Sequence, residues 1–216
     1  AQSIALSRKH HPALPNPCPG SPWYALLQID DNAIDAPVSA QLERSLHAAL
    51  ESGIVQDATI AQSGEQARAL WALRENIAEA QRRDGPNIKH DISVPVSVIA
   101  RFLDAAGPAL EAAFPGLRFV IFGHLGDGNL HYNLAAPEGV APTAFLANTA
   151  RANRIVHDLV AAHGGSISAE HGIGQQKRDE LVRYKSSVEL DLMRAVKAAI
   201  DPSGIFNPGK IFPLDA

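Results

Sequence analysis

The chain has a single cysteine, Cys18, among 216 residues. No internal disulfide framework can brace it, and a lone thiol suits a reducing compartment, here expected to be the cytoplasm. Lysines and arginines (19) are outnumbered by acids (23), for a net charge of −4. With no basic stripe along any segment, nucleic-acid binding is disfavoured. No apolar run reaches the roughly 20 residues of a membrane-spanning helix, and no secretory leader is visible. Fixed-period repeats and low-complexity runs are absent. The only methionine is Met193, so the first residue is expected to be a processing or cloning boundary, or the start of the visible part of something longer.

What is present is a hydrophobic fraction of 46%, enough for a sizeable core, and a length suited to one large domain or a domain with appendages. Five prolines between Pro12 and Pro22 mark residues 1–22 as a connector without regular helix or central strand. Strands are expected at 23–29, 54–61 and 88–94, and helices at 38–51 and from the Ser63 N-cap to about residue 83, ended by Gly85-Pro86. Further helices are expected at 97–114 (interrupted near Gly107-Pro108), 143–162, 175–184 and 189–200. Strands and helices mix without a long series of βα units. The expected fold is therefore α+β: a largely antiparallel sheet with ferredoxin-like elements and helices packed on one face.

Two strand-like runs, 119–124 and 129–134, meet across the glycine-rich stretch Gly123-His124-Leu125-Gly126-Asp127-Gly128-Asn129-Leu130-His131. A two-residue turn centred on Asp127-Gly128 would set His124 directly across from His131, with their Cβ atoms about 4.5–5.5 Å apart. Two imidazoles in one small volume suit a metal ion. Alternation places Asn129, His131 and Asn133 on one face of the second strand and Leu130, Tyr132 and Leu134 on the other.

A second polar cluster follows at Ser168-Ala169-Glu170-His171-Gly172-Ile173-Gly174. Glu170 either supplies a third, oxygen ligand or is solvated or caps the next helix. Two histidines and one carboxylate leave an open coordination position, and His171 is then free to act as a base. Lys89, Asp91 and Ser93 share a face of the 88–94 strand; Lys89 either lines the same open surface as the histidines or is simply solvated. Arg74 flanks the apolar stripe of Leu70, Leu73, Ile77 and Ala80. Its planar fork suits bidentate contact with a carboxylate, although Glu75 and Glu79 are ordinary neighbours.

These runs occur in order with Leu70-Trp71-Ala72-Leu73-Arg74-Glu75, Ile88-Lys89-His90-Asp91-Ile92-Ser93-Val94-Pro95 and Asp201-Pro202-Ser203-Gly204-Ile205-Phe206-Asn207-Pro208-Gly209-Lys210. Together, from residue 23 onward, they resemble the C-terminal substrate (cap) domain of two-domain FAD-linked D-2-hydroxyacid dehydrogenases. The likeness is to the D-2-hydroxyglutarate and D-lactate dehydrogenase branch, with the glycolate oxidase flavin subunit nearby. It implies that His124, His131 and Glu170 hold a divalent metal, usually zinc. It further implies that Arg74 and Lys89 hold substrate carboxylate, that Asn133 touches substrate and that His171 is the general base. Residues 201–216, with Asn207, would return toward the flavin, leaving 23–200 as the cap domain.

The implied reaction oxidises a D-2-hydroxy acid of the 2-hydroxyglutarate, lactate or glycolate type to the 2-oxo acid. The metal positions substrate, His171 takes the hydroxyl proton and the C2 hydride passes to FAD. An unspecified electron acceptor reoxidises the flavin. Members selective for a five-carbon diacid often carry Thr four residues after the arginine, where this chain has Ala78. No glycine-rich pyrophosphate cradle follows an early strand, so FAD is expected mainly in a domain outside this chain, which alone would bind little of it and be inactive. Two other classes fit the residues. A metal-dependent hydrolase would turn over without flavin, and a non-catalytic small-carboxylate binding module would bind its ligand undisturbed by loss of His171.

Overall fold

The computed structural model describes residues 1–33 and 37–213; residues 214–216 of the expected flavin-facing segment lie outside the described residues. The chain divides into two compact units, Ala1–Gly85 and Pro86–Ala216, whereas the sequence suggested boundaries at 22 and 200. Among the described residues, no helix is long and apolar enough to cross a membrane.

The first unit holds α1 (Gln2–His10), α2 (Val38–Glu51), α3 (Gly64–Glu75) and α4 (Ile77–Asp84). Helix α1 corrects the expectation of a helix-free connector. The prolines begin only at Pro12, and Leu6, Ser3 and Ser7 are buried, with the Ser7 hydroxyl donating to the Leu73 carbonyl at 3.0 Å. The one long helix expected after Ser63 is two. Ser63 caps α3 by accepting the Gln66 N–H. Asn76 then breaks the run, its side-chain amide donating to the Ala72 carbonyl at 2.7 Å in competition with the helix ladder. The apolar stripe is real: Leu73, Ile77 and Ala80 are buried. The strands expected at 23–29 and 54–61 do not form. No described segment of this unit is a strand, so neither run has a ladder partner, and Trp23, Leu27 and Ile54 are exposed.

The second unit is α+β. In chain order it contains β1 (Asn87–Ile88), β2 (Asp91–Ser93), α5 (Ile99–Ala113), β3 (Arg118–His124), β4 (Asn129–Ala135), α6 (Pro142–Leu146), α7 (Thr149–Ala162), α8 (Arg178–Tyr184) and α9 (Ser187–Ile200). All four strands join one antiparallel sheet around β4. β1 and β2 lie along one edge of β4 in a common register, Ile88 opposite Leu134 and Asp91 opposite His131. They are the single expected strand, interrupted at residues 89–90. There the Asn133 side-chain oxygen, not a strand carbonyl, accepts the His90 N–H at 3.2 Å, and the His90 ring nitrogen Nδ1 donates to the Tyr132 carbonyl at 2.8 Å.

One sheet face, with Ile88, Ile92, Leu130, Tyr132 and Leu134, packs against Phe102, Ala106 and Leu110 of α5 and Val156 and Val160 of α7. Phe102 meets Tyr132 edge to face at 5.6 Å. Helix α5 runs through Pro108 without the expected interruption. Proline forfeits one backbone bond and crowds the preceding turn, but Phe102, Ala106 and Leu110, all fully buried, anchor the helix on both sides of it. The helix expected at 143–162 is divided into α6 and α7, and the one expected from Gln175 begins at Arg178.

Candidate metal and substrate site

The face of the sheet turned away from that core carries the polar row that alternation predicted. Register sets Ser93 and His124 on either side of Asn129, and Asp91 and Phe122 on either side of His131. The same register carries Lys89, which is exposed, to the position opposite Asn133. His124 therefore faces Asn129, not His131, which corrects the expected two-residue turn. The connection has four residues: a single helical turn at Leu125–Asp127, then Gly128 in the left-handed conformation at φ 74°. The Asp127 carboxylate closes it by accepting the Asn129 N–H at 2.9 Å. Because the slip is by two residues, strand parity keeps both imidazoles on one face. They become diagonal neighbours, with ring centroids 6.4 Å apart.

Glu170 arrives from a stretch with no regular structure. After α7, Ser93 and Ser166 exchange both backbone hydrogen bonds at the free edge of β2, at 3.0 and 2.8 Å. Gly165 makes this approach possible, since a Cβ there would sit 2.2 Å from the Ser93 carbonyl oxygen. The chain then follows β2 to Ala169, whose N–H donates to the Asp91 carbonyl at 3.2 Å. The Glu170 carboxylate ends between the histidines, Oε1 3.2 Å from His124 Nδ1 and Oε2 3.8 Å from His131 Nε2. The Asn129 side-chain amide donates to Oε1. His171 follows, exposed, its ring 6.2 Å from that of His131.

Four of the expected residues, His124, His131, Glu170 and His171, are thus gathered. Asn133 shares their face but is buried, its oxygen engaged by the His90 N–H. Arg74 lies half-buried on α3 of the first unit. Asn207 occupies an exposed turn at φ 47°, in a segment tied to the start of α8 by Arg178 donating to the Gly209 carbonyl at 3.2 Å.

Two residues carry more than their sequence context suggested. The Asp91 carboxylate, buried on the polar face, accepts the N–H groups of Glu170 at 3.0 Å and His171 at 2.8 Å through Oδ2. Burial alone would raise its pKa. The His171 and Glu170 N–H groups, with the nearby His171 and Lys177 charges, outweigh that and hold it below the usual carboxylate range. Lys177 donates to the carbonyls of Ile167 at 2.8 Å and Asp91 at 3.3 Å. Burial lowers its pKa, against the pull of Asp91. Alternation had already put Asp91 on the polar face. Nothing local marks Lys177, whose partners are distant in sequence.

The donor set fits a divalent cation. Two imidazole nitrogens approach opposite oxygens of one carboxylate, and two buried acceptor atoms on the same face, Asp91 Oδ1 and Asn129 Oδ1, have no hydrogen-bond partner. Asp91, Glu170 and His171 also place one potential ligand atom each within 4.8 Å of one another. Glu170 is common to this group and to the set expected from the motifs, His124, His131 and Glu170.

Residues 1–211 match the family described as FAD linked oxidases, C-terminal domain. The chain belongs to this family. As an FAD-linked oxidase C-terminal domain it is similar to the D-2-hydroxyglutarate dehydrogenase of Stutzerimonas stutzeri (strain A1501), 41% identical over 191 residues that cover 88% of this chain and 40% of that protein. It is 39% identical over 193 residues to the D-2-hydroxyglutarate dehydrogenase of Xanthomonas citri pv. viticola, covering 88% of the chain and 40% of that protein. Against the mitochondrial D-2-hydroxyglutarate dehydrogenase of Bos taurus the identity is 38% over 218 residues, covering 100% of the chain and 38% of that protein. The chain thus spans about two-fifths of the length of these relatives.

Proposed function

We propose that this chain forms the metal- and substrate-binding part of an FAD-dependent dehydrogenase of D-2-hydroxy acids, with D-2-hydroxyglutarate as the first candidate substrate. The observation that carries the reading is the placement of Glu170 between His124 and His131 with His171 beside it. The names of the relatives favour the five-carbon acid, even though Ala78 stands where a threonine marks many diacid-selective members.

In this reading His124, His131 and Glu170 hold the cation, zinc being the expected ion. When bound, the cation supplies Lewis-acid polarisation of the substrate oxygens, and FAD supplies the hydride acceptor. His171, exposed at the edge of the cluster, takes the proton of the C2 hydroxyl; an imidazole is suited to that exchange near neutral pH. Lys89 faces the same surface as a point charge for a carboxylate. Arg74, Asn133 and Asn207 carry the substrate and flavin assignments of their motifs alone. No side chain is used as a nucleophile, so apart from the proton taken by His171 the main contribution of this domain is orientation.

The test uses the full-length flavoprotein with D-2-hydroxyglutarate, D-lactate and glycolate and a redox dye as acceptor. Dye reduction with at least one of these acids, highest for D-2-hydroxyglutarate, is the expected result; no reduction with any overturns the reading. In parallel, His131→Ala should abolish stoichiometric divalent metal by elemental analysis, and full occupancy in that variant removes the ligand assignment.

A further inference from the structure

We infer that Asp91 is a positioning residue for the reaction, aiming Glu170 and His171 from beneath. The inference rests on the proposed dehydrogenase reading for the role of His171, while the anchoring geometry stands on the chain itself.

Three consecutive amides converge on this one residue. The Ala169 N–H donates to its backbone carbonyl at 3.2 Å, and those of Glu170 and His171 donate to its Oδ2 at 3.0 and 2.8 Å. The stretch they belong to has no ladder of its own. Its backbone is held to β2 by the Ser93–Ser166 pair and by Asp91, with Ile167 packed in the core, the Lys177 ammonium on the Ile167 carbonyl and the Asn129 amide on the Glu170 carboxylate as its other ties. Asp91 is itself 4% exposed and paired opposite His131 in the sheet. One strand position therefore fixes the backbone of the carboxylate ligand and of the base relative to His131. Chelating and proton-accepting groups require such placement to within a fraction of an ångström.

A second contact separates this role from loop anchoring. The same Oδ2 lies 3.5 Å from His171 Nδ1, at ion-pair range. A negative charge there favours the tautomer with its proton on Nδ1 and leaves the Nε2 lone pair available as the base. The arrangement follows the general rule that a base is oriented by a third group. The Asp91 side chain thus does two things that can be taken apart. Its oxygen holds two amides, which a neutral amide side chain can also do. Its charge faces an imidazole, which the amide cannot do.

The experiment compares Asp91→Asn and Asp91→Ala with the parent in the full-length flavoprotein. Hydrogen exchange of the peptide covering 168–173, metal content, kcat and KM are measured. Asp91→Ala should raise exchange in 168–173 at least about tenfold, leave the core strands protected, and lower metal affinity by about 10- to 100-fold. Asp91→Asn should keep exchange and metal near parental values and leave KM within about threefold. Its kcat should fall at least about tenfold with an increased solvent isotope effect, as proton removal becomes slow. Parental exchange in Asp91→Ala overturns the anchoring role. Parental kcat in Asp91→Asn, or a fall in kcat that merely tracks lost protection, overturns the orienting charge. If the parent oxidises no 2-hydroxy acid, the dehydrogenase reading fails on its own, and the exchange comparison still decides whether Asp91 holds Glu170 and His171.

Discussion

Acid should loosen the second unit through a histidine outside the site. His90, 1% exposed, points into the core side of the sheet and meets His157 of α7 edge to face, ring centroids 5.8 Å apart. Its Nδ1 lies 2.8 Å from the Tyr132 carbonyl. A carbonyl only accepts, so Nδ1 carries the proton of a neutral ring. Burial pushes the pKa down to about 4; the Tyr132 hydrogen bond opposes the fall and His157 adds to it. In the unfolded chain the value is about 6.5. Between these two values the unfolded state binds a proton that the folded state refuses, so stability falls as the pH drops through this window and is untouched above it. At about 1.4 kcal/mol per pH unit, the loss comes to about 3 kcal/mol by the lower end. His157, whose pKa is also lowered chiefly by burial, adds loss of the same sign. Urea unfolding followed by circular dichroism between about pH 7.5 and about pH 4.5 measures it, with His90→Asn as the control. Asparagine keeps a donor for the Tyr132 carbonyl and does not titrate, so the difference between the two proteins removes the acid sensitivity of every carboxylate. That difference should slope by about 1.4 kcal/mol per unit below pH ~6.5. A flat difference would refute the account of His90 as a ring kept neutral by burial.

Other substitutions test the scaffold. Phe102→Ala removes a fully buried ring packed on Tyr132 and His163 and should cost about 3–5 kcal/mol in urea; a loss under about 1 kcal/mol contradicts the packing. Gly128→Ala forces a side chain into a φ of 74° and puts its Cβ 2.0 Å from the Val94 carbonyl oxygen, so at least about 2 kcal/mol should be lost in thermal melts. Ser186→Ala breaks the reciprocal capping of α9 by Ser186 and Glu189 and should cost about 1 kcal/mol, measurable as a small fall in Tm.

The sheet that builds the site was legible because alternation is local. The row of Asn129, His131 and Asn133 and the opposite row of Leu130, Tyr132 and Leu134 follow from period two and lie where expected. The hairpin register was not, because the turn is set by the Asp127 carboxylate on the Asn129 N–H, a choice that glycine content does not dictate. At 23–29 and 54–61, apolar runs suggested strands, but a strand needs a partner and the first unit has none among the described residues. Pro108 marked a break that buried contacts on both sides override. The meeting of Glu170 with His124 could be drawn from the resemblance but not from spacing, since the stretch that delivers it has no period at all. Alternation set Asp91 on the polar face, but its hold on Glu170 and His171, and the role of Lys177, were not legible because those partners come from other parts of the chain.

β4 is shared by two tenants. Leu130, Tyr132 and Leu134 furnish the apolar interior, and Asn129, His131 and Asn133 the polar face that carries the site, with neighbours on both edges. A one-residue shift of β4 against its neighbours would therefore send His131 inward and Tyr132 outward, undoing the interior and the chemistry at one stroke. A deletion library through this hairpin should show the asymmetry: loss of one residue abolishes folding, whereas loss of two restores parity and a folded chain whose histidines no longer stand beside Glu170.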